Sequence, residues 1–164
     1  MPDVEVLHRD AGASDAALHP TLRSARWVDP DQPQPSLRGP LKVLIIEDSP
    51  AVQRTLRELI ETPGLIEVCG LADAEDDGVK LFERHEPHVI VVDLSLRRGS
   101  GLGLIQKVRL QDKGEDALVM VLTNHTVRAL KHACEEAGAD YFLDKASEVE
   151  RLLDLIQVRA QLGA

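Results

Sequence analysis

From residue 41 onward, short and mostly apolar runs alternate with stretches in which apolar residues return every three or four positions. The runs are Leu41–Ile46, Ile66–Leu71, Val89–Val92, Ala117–Leu122 and Tyr141–Leu143. Such runs, lacking a sustained polar alternation, predict strands buried on both faces, as in a parallel sheet covered by helices. Between them the spacing predicts helices. Ser49-Pro50 supplies an N-cap and a proline at the first helical position; Val52, Leu56, Leu59 and Ile60 follow at helical spacing, and Thr62-Pro-Gly ends the helix. Asp73 is placed to cap a second helix running through Arg84, with Ala74, Leu81 and Phe82 inward. Arg98-Gly-Ser-Gly leads into a third over Leu102–Leu110, and a fourth over Val127–Ala137 closes on Gly138, a natural left-handed cap. Ser147-x-x-Glu150 reads as a capping box for the last helix, with Val149, Leu152, Leu153 and Ile156 inward. Five strands alternating with five helices predict a doubly wound α/β domain over residues 41–162.

Residues 1–40 follow a different rule. Pro2, Pro20, Pro30, Pro33, Pro35 and Pro40 punctuate mixed charges without periodicity. The stretch Asp29-Pro-Asp-Gln-Pro-Gln-Pro-Ser cannot form an ordinary helix or central strand, because each proline removes a backbone donor. The expectation is a mostly disordered extension, in which Trp27 reads as an incidental apolar residue in preference to forming a small docking motif with its neighbours.

Composition narrows the classes of function. Hydrophobic residues are 43% and charged residues 29%, as in globular domains, while aromatics are only 2%, so the core must be built from Leu, Val, Ile and Ala. The net charge is −9 and no Lys/Arg run forms a basic stripe, which argues against direct binding of nucleic acid. Cys69 and Cys134 lack CxxC spacing and read as small apolar residues in a reducing compartment. No apolar segment is long enough for membrane insertion and no secretory pattern opens the chain, so a cytoplasmic location is expected.

The chemistry concentrates at the strand ends. In an open parallel sheet, ligands bind at the carboxyl ends of the strands near the switch in strand order. Here the first strand ends in Glu47-Asp48, the third in Asp93, the fourth in Thr123, and the fifth leads to Lys145. Each alone has a structural explanation, as a cap, a turn former or a solvated charge. Together they bring three acids, a hydroxyl and an amine to one edge. Carboxylates packed together repel unless a cation shares them, and a hard divalent ion such as Mg²⁺ suits an all-oxygen site. That ion and Lys145 would neutralise charge developing on a transferring phosphoryl group, while one carboxylate acts as nucleophile and Thr123 hydrogen-bonds a phosphoryl oxygen. His85-Glu-Pro-His88 also offers metal-ligand types, but has no partner cluster and reads as a surface loop. The glycines of Arg98–Gly103 fit neither a phosphate-loop nor a dinucleotide fingerprint.

Lys42-Val-Leu-Ile-Ile-Glu-Asp-Ser, Val89-Ile-Val-Val-Asp-Leu, Val121-Leu-Thr and Tyr141-Phe-Leu-Asp-Lys145 resemble the corresponding segments of the response-regulator receiver family, in order, over about residues 41–160. The resemblance implies a flavodoxin-like sheet of order 2-1-3-4-5. It implies that Asp93 is the phosphorylation site, that Glu47, Asp48, Asp93 and the backbone carbonyl of Ser95 hold Mg²⁺, and that Thr123 and Lys145 contact the phosphoryl group. Thr123 and Phe142 would form the switch, although Phe142 reads equally as a core aromatic, and Ser95 and His125 would tune hydrolysis of the acyl phosphate. Gly101 falls where the family has a glycine opening the third helix. The implied partners are a histidine kinase or histidine phosphotransfer protein and a downstream protein target. A homodimer through the fourth helix, fifth strand and fifth helix is also possible.

The chain departs from the family pattern at Arg97, where proline is common, at Ala146, where a cis-proline is common, and at Asn124, where a smaller residue is usual. These bear on switching amplitude and phosphoryl lifetime. Only Gly163-Ala164 follows the last helix, so output is expected through protein contact, with catalysis limited to the protein's own aspartyl phosphorylation and dephosphorylation. Two alternatives remain. A phosphate-independent pseudo-receiver would need no site, yet every site group is present. An aspartyl-phosphate hydrolase needs a second carboxylate two residues after the nucleophile, and that position is Ser95.

Overall fold

The computed structural model describes residues 39–163. The expected disorder of residues 1–40 and the reading of Trp27 therefore fall, apart from Gly39 and Pro40, outside the described residues. Five parallel strands form one sheet: β1 (Leu41–Ile46), β2 (Ile66–Ala72), β3 (Val89–Val92), β4 (Leu118–Thr123) and β5 (Tyr141–Asp144), in the order β2-β1-β3-β4-β5. Five helices connect or follow them: α1 (Pro50–Ile60), α2 (Glu75–His85), α3 (Gly101–Arg109), α4 (Arg128–Ala137) and α5 (Val149–Leu162). The flavodoxin-like order expected from the resemblance is the one adopted.

Strand alternation sorts the core into two layers. Val43, Ile45, Val89, Val91, Met120 and Leu122 pack with Leu56 and Ile60 of α1 and Leu152 and Ile156 of α5. Leu44, Ile46, Ile90, Val92, Val119 and Val121 pack on the other face with Phe82, Leu104, Ile105, Val108 and Cys134. Each such fully buried aliphatic or aromatic side chain contributes roughly 1.5–3 kcal/mol from leaving water. Burial pushes both thiols, Cys69 and Cys134, up to about 11, consistent with packing rather than reactive cysteines. None of the helices among the described residues is long and apolar enough to cross a membrane.

Several helix ends differ from expectation. Ser49 does cap α1, accepting from Val52 N, and Gly138 closes α4 in the left-handed region at φ 105°. Ser100 caps α3, its hydroxyl accepting from Gly103 N at 3.0 Å, so that helix starts a residue earlier than the spacing implied. Asp73 does not cap α2. Ala74 stands at that position without a side-chain cap, because the Asp73 carboxylate is drawn outward to Arg97 at 2.9 Å. The capping box at Ser147 and Glu150 also does not form. Helix α5 starts at Val149 after Glu148, whose carboxylate reaches back to Asp144 N at 2.8 Å, while Asp144 Oδ1 accepts from Ala146 N at 2.7 Å. Asp144 and Glu148 thus close the turn, and Ser147 lies one residue ahead of the position that caps the helix.

Candidate functional site

Because the strands are parallel and in register, Ile46 pairs with Val92 and Thr123 with Asp144, so the residues just beyond them emerge along one edge. Glu47 and Asp93 stand next to each other there, with Asp93 N donating to Ile46 O at 2.9 Å. Glu47 is 2% exposed, Asp93 7% and Thr123 0%, and these three are the buried polar residues among the described ones. Burying carboxylates is costly unless they are paired.

Lys145 supplies the pairing. Its Nζ lies 2.7 Å from Glu47 Oε2 and 2.8 Å from Asp93 Oδ2. Its backbone N donates to Thr123 O at 2.9 Å, which anchors the start of the β5–α5 loop to the end of β4. Burial disfavours the Lys145 charge, but the hydrogen bonds to Asp93 and Glu47 outweigh it and hold the ammonium above its ordinary range. Burial raises the Glu47 carboxyl above its ordinary value, a shift that the bonds from Lys145 and Ser49 N only partly offset. The second oxygen of each acid is held by main chain: Leu94 N donates to Asp93 Oδ1 at 2.7 Å and Ser49 N to Glu47 Oε1 at 3.1 Å.

Asp48 is exposed on the open side, and one carboxylate oxygen from each of Glu47, Asp48 and Asp93 falls within a 4.8 Å span. This is the acidic group that could hold a metal ion among the described residues, and its hard, anionic oxygen donors fit Mg²⁺. The His85–His88 segment contributes to no such group. Nor is it a free surface loop: His88 is partly buried, its Nδ1 accepting from Lys42 N at 2.9 Å.

Thr123 Oγ1 accepts from His125 N at 3.2 Å, tying the buried hydroxyl to the exposed loop that enters α4. Alternation along β4 and β5 places Thr123 on the same sheet face as Val121 and its strand neighbour Phe142, which packs against the layer holding Cys134; Tyr141 packs against the opposite layer. Ser95, Asn124 and His125 are exposed at the rim.

One contributor went unrecognised in the sequence. Gln53, on α1, donates from Nε2 to Glu47 O at 2.6 Å and to Ala72 O at 3.0 Å, joining the ends of β1 and β2 beside the acids. Its position six residues after Glu47 carried no signal, since a glutamine in the second turn of a helix usually faces water.

The comparisons with known proteins agree with this geometry. The family model of the response regulator receiver domain matches residues 43–157. A nitrate/nitrite response regulator homolog from Haemophilus influenzae is 31% identical over 125 residues, which are 76% of this chain and 59% of that protein. The nitrate/nitrite response regulator NarL of Escherichia coli is 32% identical over 128 residues, 76% of this chain and 57% of that protein. Among solved structures, the signal receiver domain of the putative response regulator NarL from Mycobacterium tuberculosis superposes with a TM-score of 0.67 at 21% identity, covering 74% of this chain and 97% of that one. The chain spans about half the length of the curated relatives it matches.

Proposed function

The chain belongs to the response regulator receiver domain family of two-component systems, and from that premise we propose that it accepts a phosphoryl group on Asp93. The donor is a histidine kinase or histidine phosphotransfer protein, and the output is contact with a downstream protein. The observation that carries this reading is the environment of Asp93: a buried carboxylate oriented by Leu94 N and Lys145 Nζ, beside two further acids.

Glu47, Asp48 and Asp93, together with the Ser95 carbonyl, would hold Mg²⁺, which when bound supplies positive charge against the phosphoryl oxygens. The protein's own groups do the rest. An Asp93 carboxylate oxygen attacks phosphorus, the P–N bond to the donor imidazole breaks, and the imidazole leaves with the electron pair, giving an acyl phosphate. The Lys145 ammonium, already 2.8 Å from Asp93, transfers a hydrogen bond from the carboxylate to a phosphoryl oxygen. The Thr123 hydroxyl turns to another phosphoryl oxygen, leaves His125 N without its present acceptor, and so loosens the entry to α4; Phe142, on the same face, follows into the space vacated. Ser95 and His125, at the exposed rim, set how readily water reaches the acyl phosphate. Apart from its own phosphorylation and dephosphorylation the protein is a signalling module, as response regulators generally are.

Intact mass after incubation with acetyl phosphate and Mg²⁺ tests the reading. One added phosphoryl group, labile at alkaline pH and missing in Asp93→Asn, is the expected result. Absence of any adduct in the wild type, with acetyl phosphate and with a panel of kinases, would overturn it.

A further inference from the structure

The loop between Asp93 and α3 closes on itself. Ser95 and Ser100 form an antiparallel bridge, and Gly101 N donates to Leu94 O at 3.0 Å. Gly101 lies so near the acceptor residue that a Cβ there would sit 2.1 Å from Asp93 O. The two ends of the loop are therefore one unit, and displacement of Ser100 is passed to Leu94 and Ser95. Ser95 carries the carbonyl assigned above to the metal.

This unit is gripped from outside by the first turn of α2. Glu75 Oε2 accepts from Ser100 N at 2.7 Å, and Lys107 of α3 holds Glu75 Oε1 at 2.8 Å. Space for the Glu75 side chain is made by two glycines: a Cβ on Gly99 would lie 2.5 Å from it and one on Gly103 2.6 Å. Main-chain bonds run alongside, from Glu75 N to Arg98 O and from Arg97 N to Asp73 O, each 3.0 Å. The second of these needs an N–H at position 97, which the proline common in the family would lack. The cations of this cleft are paired, Arg97 with Asp73, Arg98 with Asp77 and Lys107 with Glu75 and Asp76, so the cluster is a clasp and not a ligand site.

An acid in the first turn of a helix ordinarily serves that helix's own exposed N–H groups. Glu75 instead directs its carboxylate to another segment. The geometry points to Glu75 as a positioning residue for the acceptor loop: its hydrogen bond to Ser100 N holds the Ser95 carbonyl and Asp93 in the arrangement that takes up a divalent ion. This deepens the phospho-acceptor reading and rests on it.

The test compares the full chain with Glu75→Ala and Glu75→Gln, measuring Mg²⁺ affinity by calorimetry, amide exchange over residues 94–101, and melting temperature. Glutamine keeps an acceptor for Ser100 N while losing the charge. Glu75→Ala is expected to weaken Mg²⁺ binding about tenfold, the lower end for groups that orient metal ligands. It should also speed exchange at Ser95 and Ser100 while the protein stays folded, and Glu75→Gln should stay within about threefold of wild type. Unchanged Mg²⁺ affinity and exchange in Glu75→Ala, or equal loss in both variants, would overturn the positioning role. If Glu75→Ala does not fold, Glu75→Asp, whose shorter side chain draws the carboxylate back from Ser100 N while keeping the charge, decides the matter by the same readouts. A wild type that binds Mg²⁺ but takes no phosphoryl group sinks the functional reading alone. Should it bind no Mg²⁺, both fail.

Discussion

Lys145 and Asp93 are 52 residues apart in the chain and 2.8 Å apart in space, and the same ammonium also holds Glu47 at 2.7 Å. One cation is thus shared by two carboxylates at the end of the sheet and offsets part of their mutual repulsion. Removing it leaves two largely buried acids opposed. Lys145→Met is expected to destabilise the protein by roughly 3 kcal/mol at neutral pH, the scale for deleting one partner of a buried ion pair. Millimolar Mg²⁺, by replacing the lost charge, should restore much of this. Thermal melts with and without Mg²⁺ check both parts, and a melting point insensitive to the substitution would contradict the pairing.

Thr123 is fully buried and its hydroxyl accepts from His125 N of the exposed loop, the bond that the proposed phosphoryl contact would exchange. Thr123→Val keeps the volume and loses both bonds. The expected cost is about 0.5–1.5 kcal/mol for the lost hydrogen bond, since the N–H of the exposed His125 can turn to water. Phosphorylation should still proceed, whereas the phosphorylation-induced NMR shifts over residues 124–130 should shrink. Full-sized shifts would mean that another group reports the phosphoryl group.

Gln53 spans the ends of two strands with one amide. Gln53→Ala should cost roughly 1–3 kcal/mol in urea denaturation, the range for leaving a partly buried acceptor unsatisfied. Gln53→Glu should be worse at neutral pH than at pH 4, because a carboxylate would face two carbonyl oxygens. Equal stability of the two variants at neutral pH would refute this.

His88 predicts a pH dependence of stability. Burial, then the nearby charges of Lys42 and Arg159, lower its pKa below the usual 6.5, and its Nδ1 must stay unprotonated to accept from Lys42 N. The folded state therefore binds fewer protons at His88 than the unfolded chain does. Its contribution is fully present above pH 6.5 and is lost as pH falls from there toward the lowered folded value, with a slope of at most about 1.4 kcal/mol per pH unit. His88→Asn keeps an acceptor for Lys42 N without titrating, so its stability should vary less between pH 7 and pH 5. Denaturant midpoints across that range measure the difference.

Strand positions were legible because their apolar runs are nearly uninterrupted, and the five site groups because each ends or follows such a run. The helix caps were less so. Asp73 and Ser147 carry side chains that favour caps, but whether they cap depends on competing partners. Asp73 meets Arg97, 24 residues away, and the acids around Ser147 close their own turn. Propensity describes what a side chain can do locally, and such competition is settled by contacts it does not contain.

By itself the sequence determined the alternation of strands and helices, the two apolar faces of the sheet, and the identity of the acids, hydroxyl and amine at its carboxyl edge. These follow from local periodicity, in which burial and backbone geometry repeat every two or 3.6 residues. Only the tertiary structure decided that Lys145 bridges Glu47 and Asp93, that Gln53 ties β1 to β2, and that Glu75 clasps Ser100. Those are pairings between residues up to 98 positions apart, set by strand order and packing, and no periodicity along the chain encodes them.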